Sequence, residues 1–167
     1  MAETGSRWRA RVHVIAVGKI REPHAAVASR YEDRIDDRVG LRVDEVAAEP
    51  LQHGLDQVAR READRIRARL PDGAYLVAMD PAGRVPASSE ALAKWLERRL
   101  EQSGPTVFLI GGASGLAPDL LAEADERMSL SPLTLPHQLA RAVLAEQLYR
   151  ALAQTNLAPT RHSQSER

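Results

Sequence analysis

Short apolar runs alternate with longer segments of helical spacing along the chain, and this alternation is the strongest constraint on its fold. Apolar or alternating runs of this length are typical of strands, and amphipathic segments between them are typical of helices that cover a sheet. The strands are predicted at 12–20, 41–47, 74–80 and 106–110, with a possible last strand at 128–131. The helices are predicted at 22–38, 56–70, 88–104, 118–127 and 136–153. About five such alternations predict an α/β fold with a mostly parallel sheet and helices on both faces.

Two predicted helices show their buried side in the sequence. In the segment 88–104, Ser88 or Ser89 is a suitable N-cap, and one apolar stripe is formed by Leu92, Trp95, Leu96 and Leu100. The segment 56–70 is highly charged, with an apolar side formed by Val58, Ile66 and Leu70. Its charges are interpreted as a solvated face with pairs between neighbouring residues.

Length and composition bound the possible classes of protein. The 167 residues predict a single domain over 1–157, followed by a polar tail at 158–167. The formal net charge is zero, so overall charge does not indicate a nucleic-acid binder. The absence of cysteine excludes disulfides and thiolate chemistry, and no cluster of residues has the spacing of a metal site. No apolar run approaches the roughly 18 residues of a membrane span, and the start lacks a signal-peptide core, so we expect a soluble, cytoplasmic protein without a metal.

The segment 108–116 reads FLIGGASGL, an apolar strand that ends in paired glycines. Such glycines let backbone approach a ligand closely, and open α/β sheets bind ligands at the carboxyl ends of their strands. They equally suit a tight turn with positive φ, and the segment alone does not decide between these interpretations. It lacks the lysine of a P-loop and the spacing of a dinucleotide-binding motif, and Ala113 stands where a serine-hydrolase motif has its nucleophile.

The segment 128–139 reads MSLSPLTLPHQL, in which hydroxyl side chains alternate with leucines. Such a loop can present backbone N–H and C=O groups to a heterocycle while leucines cover the faces of the ring. Alternatively, it is a strand-to-helix connection whose leucines belong to the core. His137 in the first helical turn is interpreted as a structural hydrogen-bonding residue in preference to a catalytic base.

The last predicted helix carries two arginines within an almost wholly apolar circumference. A helix of this kind is buried, or it buries one face in its own domain and another in a partner. Arg141 and Arg150 each need a carboxylate, a phosphate or water. The carboxylate would come from Glu146 or another helix, and the phosphate would come from RNA. Arg161 and His162 in the tail form either an RNA-facing clamp or an ordinary polar end.

The segment FLIGGASGL, followed by MSLSPLTLPHQLARAVLAEQLYRA, closely resembles the RlmH (YbeA-like) family of SPOUT-class methyltransferases. The segments VIAVGKIREPH and YLVAMDPAGR extend the resemblance across the chain. The resemblance implies a SPOUT-type fold with a C-terminal trefoil knot, and a homodimer. It also implies methyl transfer from S-adenosyl-L-methionine to N3 of a pseudouridine in 23S rRNA of the assembled ribosome.

The resemblance further implies roles for individual residues. The expected cofactor-binding residues are Met79, Gly111, Leu130, Ser131, Pro132, Leu133, Thr134 and Leu135. Arg150, in the segment LYRA, matches an arginine linked in the family to substrate handling. Together with Arg161 and His162 of the tail, it makes up the expected catalytic group.

The end of the chain departs from the pattern of the family. The family usually ends in PYHR or PYHK, whereas this chain reads PTRHSQSER. Thr160 occupies the tyrosine position and Arg161 the histidine position, and His162 replaces that histidine only if the tail shifts by one residue. One alternative is therefore a catalytically impaired ribosome- or RNA-binding homologue that keeps the knot and the dimer. Another is an unrelated nucleotide-binding α/β protein, which the absence of a P-loop lysine disfavours.

Overall fold

The structure, a computed structural model, describes residues 10–157. Within this range one sheet has the strand order β2-β1-β4-β3-β5, and all of its neighbouring strands are parallel. Its strands are β1 (Val12–Val17), β2 (Leu41–Val46), β3 (Tyr75–Arg84), β4 (Thr106–Ile110) and β5 (Glu126–Met128). Its α-helices are α1 (His24–Val39), α2 (Leu55–Arg67), α3 (Ser89–Glu101), α4 (Pro118–Glu123) and α5 (His137–Ala153), and a 3-10 helix covers Leu51–His53. The predicted α/β fold with a parallel sheet is confirmed.

Two apolar cores lie on opposite faces of the sheet. Alternate residues of the central strands serve each core, so Phe108 of β4 belongs to one and Leu109 to the other. The first core contains side chains of α1, α3 and α5, and the second contains side chains of α2 and α4. Because β1 and β4 are buried on both sides, their sequences are continuous apolar runs. The sheet therefore has covered faces, and its carboxyl edge is left for a site.

The predicted cap and apolar stripe of α3 are confirmed. Ser88 Oγ accepts the N–H of Ala91 at 3.0 Å, which satisfies one of the free donors at the start of the helix. The four predicted stripe residues are all buried, namely Leu92, Trp95, Leu96 and Leu100. Within residues 10–157, no helix combines the length and apolar character needed to cross a membrane.

The possible last strand is present, but it lies two residues earlier than the predicted start and spans Glu126–Met128, because α4 ends at Glu123 and not at 127. The acidic residue that begins β5 is bound by residues that are remote in the sequence. Glu126 Oε2 accepts the indole N–H of Trp95 at 2.8 Å, and its Oε1 accepts Arg84 Nη2 at 2.5 Å. β3 also continues beyond its predicted end, because Arg84 O accepts the N–H of Ser129 at 3.0 Å.

The interpretation of the α2 charges as a solvated face with neighbouring pairs is only partly correct. Arg67 pairs with Asp64 one turn earlier at 3.2 Å, as expected. Arg61 and Arg65, however, both bind Glu49 in the connection that follows β2. A further charged residue of the same helix, Glu62, is buried instead of solvated. Charge pairs thus hold α2 to the loop before it, and its apolar side packs against the sheet.

Candidate functional site

A cavity of about 510 Å³ opens at the edge of the sheet where β4 and β5 end. Its floor includes Met79, Ile110 and Met128, which are neighbours in the sheet because Met79 pairs with both of the others. One wall is the turn Gly111–Gly115, and the other is the connection from Ser129 to Pro136, followed by His137 and Ala140 of α5. Cavities of a few hundred cubic ångströms at this edge are typical of small-molecule sites in α/β proteins.

The wall formed by Gly111–Gly115 (the glycine turn) is closed by its own backbone. Gly115 donates its N–H to Gly112 O at 3.0 Å and has a φ of 73°, which favours glycine. A Cβ on Gly111 would lie 2.6 Å from the carbonyl carbon of Gly115, so a side chain there has no room. The segment is therefore a tight turn that also lines the cavity, with its positive φ at Gly115 and not at the paired glycines, and close approach of a ligand to those glycines stays a prediction.

The opposite wall, residues 129–135 (the leucine loop), is fixed by hydroxyl side chains. Ser129 donates from Oγ to Ser131 O at 2.7 Å, and Ser131 Oγ accepts the N–H of Leu133 at 2.9 Å. Leu133 in this loop has 75% of its surface exposed. An exposed leucine held on an ordered loop at the mouth of a cavity can cover an apolar ring that enters it.

The structure brings together most of the residues predicted to hold a cofactor. Those that line the cavity are Met79, Gly111, Leu130, Ser131, Leu133, Thr134 and Leu135. Pro132 lies within the same loop and does not line the cavity. Asp80, Ser114 and His137, which the sequence did not assign to cofactor binding, also line it. The hydroxyl of Ser114 is buried and has no hydrogen-bond partner among the described residues. It can therefore accept a hydrogen bond from a ligand.

Glu62 lies behind the glycine turn and was missed in the sequence. It is 3% exposed, and its Oε2 accepts the N–H of Glu49 at 3.2 Å. Its Oε1 has no partner within the described residues, and burial raises the pKa of its carboxyl. A Cβ on Gly112 would lie 3.3 Å from Oε2, so the carboxyl group backs this wall of the cavity.

The spacing of residues in α2 could have revealed Glu62. Val58 and Ile66 stand four residues before and after it, and both are buried. A residue at this spacing lies on the same side of the helix. A glutamate on the apolar side of a highly charged helix is therefore the sequence feature that indicates a buried carboxyl group.

The two arginines of α5 have different surroundings. Arg141 is buried and binds carboxylates of α1 and β2, with Nε 3.1 Å from Glu32 Oε1 and Nη1 2.6 Å from Glu45 Oε2. One of its two partners is thus an acidic residue of another helix, as one alternative predicted, the other belongs to a strand, and the guanidinium is not available to an RNA phosphate. Glu146 instead binds Arg150, with Oε1 2.9 Å from Arg150 Nε.

Arg150 is exposed and lies far from the cavity of its own chain. His137 lines the cavity at the start of α5, and Arg150 is about 20 Å farther along at roughly 1.5 Å per residue. The structure therefore does not bring Arg150 together with the predicted cofactor residues. Arg161 and His162, the other predicted catalytic residues, lie outside the described residues. No group of three metal-ligating side chains occurs within 10–157.

Comparison with known proteins identifies the family. Residues 10–159 match the family described as "Predicted SPOUT methyltransferase". The chain is 46% identical over 143 residues to the Ribosomal RNA large subunit methyltransferase H of Gemmatimonas aurantiaca, covering 84% of this chain and 92% of the relative. The chain belongs to the RlmH family of SPOUT methyltransferases. A second RlmH relative, from Gluconacetobacter diazotrophicus, is 42% identical over 144 residues, covering 85% of this chain and 91% of its own.

Solved structures similar to this RlmH-family chain are more distant in sequence. TrmJ from Z. mobilis ZM4 has a TM-score of 0.49 at 20% identity, covering 90% of this chain and 73% of its own. AviRb from Streptomyces viridochromogenes, a SpoU methyltransferase in complex with AdoMet, has a TM-score of 0.43 at 19% identity, covering 89% of this chain and 58% of its own.

Proposed function

We propose that this protein transfers a methyl group from S-adenosyl-L-methionine to N3 of a pseudouridine in 23S rRNA of the assembled ribosome. The observation that carries the proposal is the cavity between the glycine turn and the leucine loop, in a chain of the RlmH family. Relatives that are 46% and 42% identical to it over the aligned residues are named Ribosomal RNA large subunit methyltransferase H. A cytoplasmic location, where ribosomes are found, is part of the proposal.

The cavity suits the adenosine half of this cofactor. Leu130, Leu133 and Leu135 provide apolar surface for the faces of the adenine ring, and the backbone of the leucine loop provides donors and acceptors for its edge. Gly111 allows close approach beside Met79, and the unpartnered hydroxyl of Ser114 is available to a polar group. The bound cofactor supplies an electrophilic methyl group.

On the substrate side, N3 of the pseudouridine must lose its proton as it takes the methyl group. A basic or hydrogen-bonding group near N3 assists this loss. We assign acceptance of the proton to His162, hydrogen bonding beside the base to Arg161, and substrate handling to Arg150. Holding the base and the methyl group in line supplies most of the remaining rate enhancement.

A homodimer is part of the proposal, because Arg150 stands about 20 Å along α5 from its own cavity. In a dimer, this arginine can serve the cavity of the partner subunit. Leu139 and Val143 of α5 are only partly buried in the single chain, which leaves apolar surface for such a contact. The trefoil knot is proposed on the family resemblance.

A labelled-methyl transfer assay tests the proposed function. The substrate is ribosomes from a strain without this enzyme, and the product is located at a single pseudouridine of 23S rRNA. We expect transfer by the native protein and at least tenfold less by Arg150→Ala and by His162→Ala. Full activity of both variants would contradict the substrate-side assignments. Failure of the native protein to bind S-adenosyl-L-methionine in calorimetry would contradict the function itself.

The altered tail supports a second candidate function, a ribosome-binding homologue with impaired turnover. Thr160 stands where the family usually has tyrosine, so one group of the usual terminal motif is missing. Binding of both the cofactor and ribosomes without methyl transfer would select this candidate. Transfer at a rate that the Thr160→Tyr variant does not improve would exclude it.

A further inference from the structure

The loop between β1 and α1, residues 18–23 (the β1–α1 loop), is held in one conformation by hydrogen bonds to two other elements, β2 and α5. Gly18 donates its N–H to Val46 O at 2.7 Å, and Ile20 donates to Glu45 Oε2 at 2.8 Å. Arg21 donates its backbone N–H to Gln138 Oε1 of α5 at 2.9 Å. A surface loop bound at three successive points is positioned before any ligand arrives.

This loop lies beside the cavity. β1 and β4 are adjacent parallel strands in which Ala16 pairs with Ile110, so both strands end at the same edge of the sheet. A Cβ on Gly112 would lie 2.9 Å from Val17 Cγ1, so the end of β1 touches the glycine turn. Arg21 is four residues beyond Val17, which places its Cα within about 14 Å. Gln138, which holds Arg21, directly follows the cavity residue His137.

Two basic side chains project from this positioned backbone without partners. Lys19 and Arg21 are exposed, and neither side chain has a hydrogen bond or an ion pair with residues 10–157. Most other arginines near this edge are already bound, as Arg141 is by Glu32 and Glu45. The acidic residue that follows them, Glu22, accepts the N–H of Ala26 at 3.4 Å in the first turn of α1.

We propose that Lys19 and Arg21 form a phosphate-binding site for the RNA strand that carries the target base. The inference rests on the proposed function. A base that enters a cavity for methylation leaves its phosphates at the rim, and basic side chains on ordered backbone are the groups that hold phosphates in register. Net charge of zero means that RNA binding must come from such local groups and not from the whole surface.

The test compares two double variants with the same change in charge. Lys19→Gln/Arg21→Gln removes the proposed site, and Lys94→Gln/Arg98→Gln removes two exposed charges of α3. We measure binding to ribosomes and to protein-free 23S rRNA over a range of salt concentration, KM and kcat for methyl transfer, and affinity for S-adenosyl-L-methionine. Unchanged cofactor affinity shows that each variant is folded.

For Lys19→Gln/Arg21→Gln we expect binding to both RNA targets to weaken about tenfold or more, with KM raised and kcat little changed. The slope of log affinity against log salt should fall by about 1.4, since each phosphate contact to a single strand contributes about 0.7. The α3 variant should behave as the native protein. Unchanged binding, an equal loss in the α3 variant, or a loss on ribosomes but not on protein-free RNA would overturn the inference. Native protein that methylates no ribosomes would overturn the proposed function and the inference with it, whereas native activity with unchanged binding of the variant overturns the inference alone.

Discussion

Arg141 Nη1 donates to Glu45 Oε2 at 2.6 Å, and the same oxygen accepts the backbone N–H of Ile20 at 2.8 Å. One carboxylate oxygen thus joins α5, β2 and the β1–α1 loop. Because the guanidinium also donates to Glu32 of α1, a single buried arginine links four segments near the carboxyl edge of the sheet. Its role is to hold the framework of the site.

Replacing Arg141 with methionine should lower the free energy of unfolding by about 2–3 kcal/mol. The change keeps apolar volume but leaves Glu32 and Glu45 without their partner. The value is below that of a fully buried pair because Glu45 is about one-third exposed. Urea denaturation measures the loss. Arg150→Met is the control, since its ion pair is on the surface, and equal stability of the two variants would contradict the assignment.

The glycine turn should tolerate alanine at one end and not at the other. Gly111→Ala places a Cβ 2.6 Å from the backbone of Gly115, so the turn must open, and we expect cofactor affinity to fall at least tenfold. Gly115→Ala meets nothing within 4 Å, and its positive φ costs about 1–2 kcal/mol of stability. Calorimetry with S-adenosyl-L-methionine and thermal melting separate the two. A similar loss of affinity in both variants would show that the turn is sensitive to strain alone.

Glu62 should make the stability of the protein fall as pH rises. Burial raises the pKa of its carboxyl above the ordinary value of 4.5, so the folded state holds a proton that the unfolded state releases. Its contribution is complete below pH 4.5 and is lost as pH rises through the folded pKa. In Glu62→Gln this contribution is absent. The unfolding free energy of Glu62→Gln relative to the native protein should therefore increase from pH 4.5 upward in urea titrations, and a constant difference would contradict a raised pKa.

A mixed dimer should recover activity that neither parent variant has. Arg150→Ala keeps its cavity but lacks the arginine, and Gly111→Ala keeps the arginine but lacks the cavity. If Arg150 serves the partner's cavity, a dimer with one subunit of each kind contains one complete site. Co-expressed variants with different affinity tags, purified on both tags, should methylate ribosomes at up to about half the native rate. Activity no higher than in the separate variants would place Arg150 in another role.

The sequence predicts the framework of the fold well where local pattern and burial agree. β1 and β4 are continuous apolar runs because both of their faces are covered, and Ser88 marks the start of α3 because its hydroxyl caps the helix. The expected cofactor-binding residues follow from the family resemblance of three segments, which contain Met79, Gly111 and the leucine loop. Seven of the eight lie around one cavity, and their contact with a cofactor stays a prediction.

The sequence fails where distant partners decide the outcome. Glu126 opens a strand, and its carboxylate is bound by Trp95 and Arg84, which are 31 and 42 positions away. β3 runs past Pro81, where Arg84 pairs with Met128 and its carbonyl accepts the N–H of Ser129. The same holds for Arg141, whose carboxylates lie 109 and 96 positions earlier. Local propensity carries no information about such pairs.

The leucine loop and the start of α5 follow every other wall of the cavity in chain order, since the earlier lining residues end with Met128. Synthesis proceeds from the amino terminus, so a nascent chain can assemble all five strands and the glycine turn while it still has no complete binding site. The ability to bind the ligand then arises in one late step, when residues 129–140 leave the ribosome and pack against the edge of the sheet. Ribosome-stalled chains of increasing length should therefore acquire ligand binding abruptly, and not in proportion to the amount of sheet already formed.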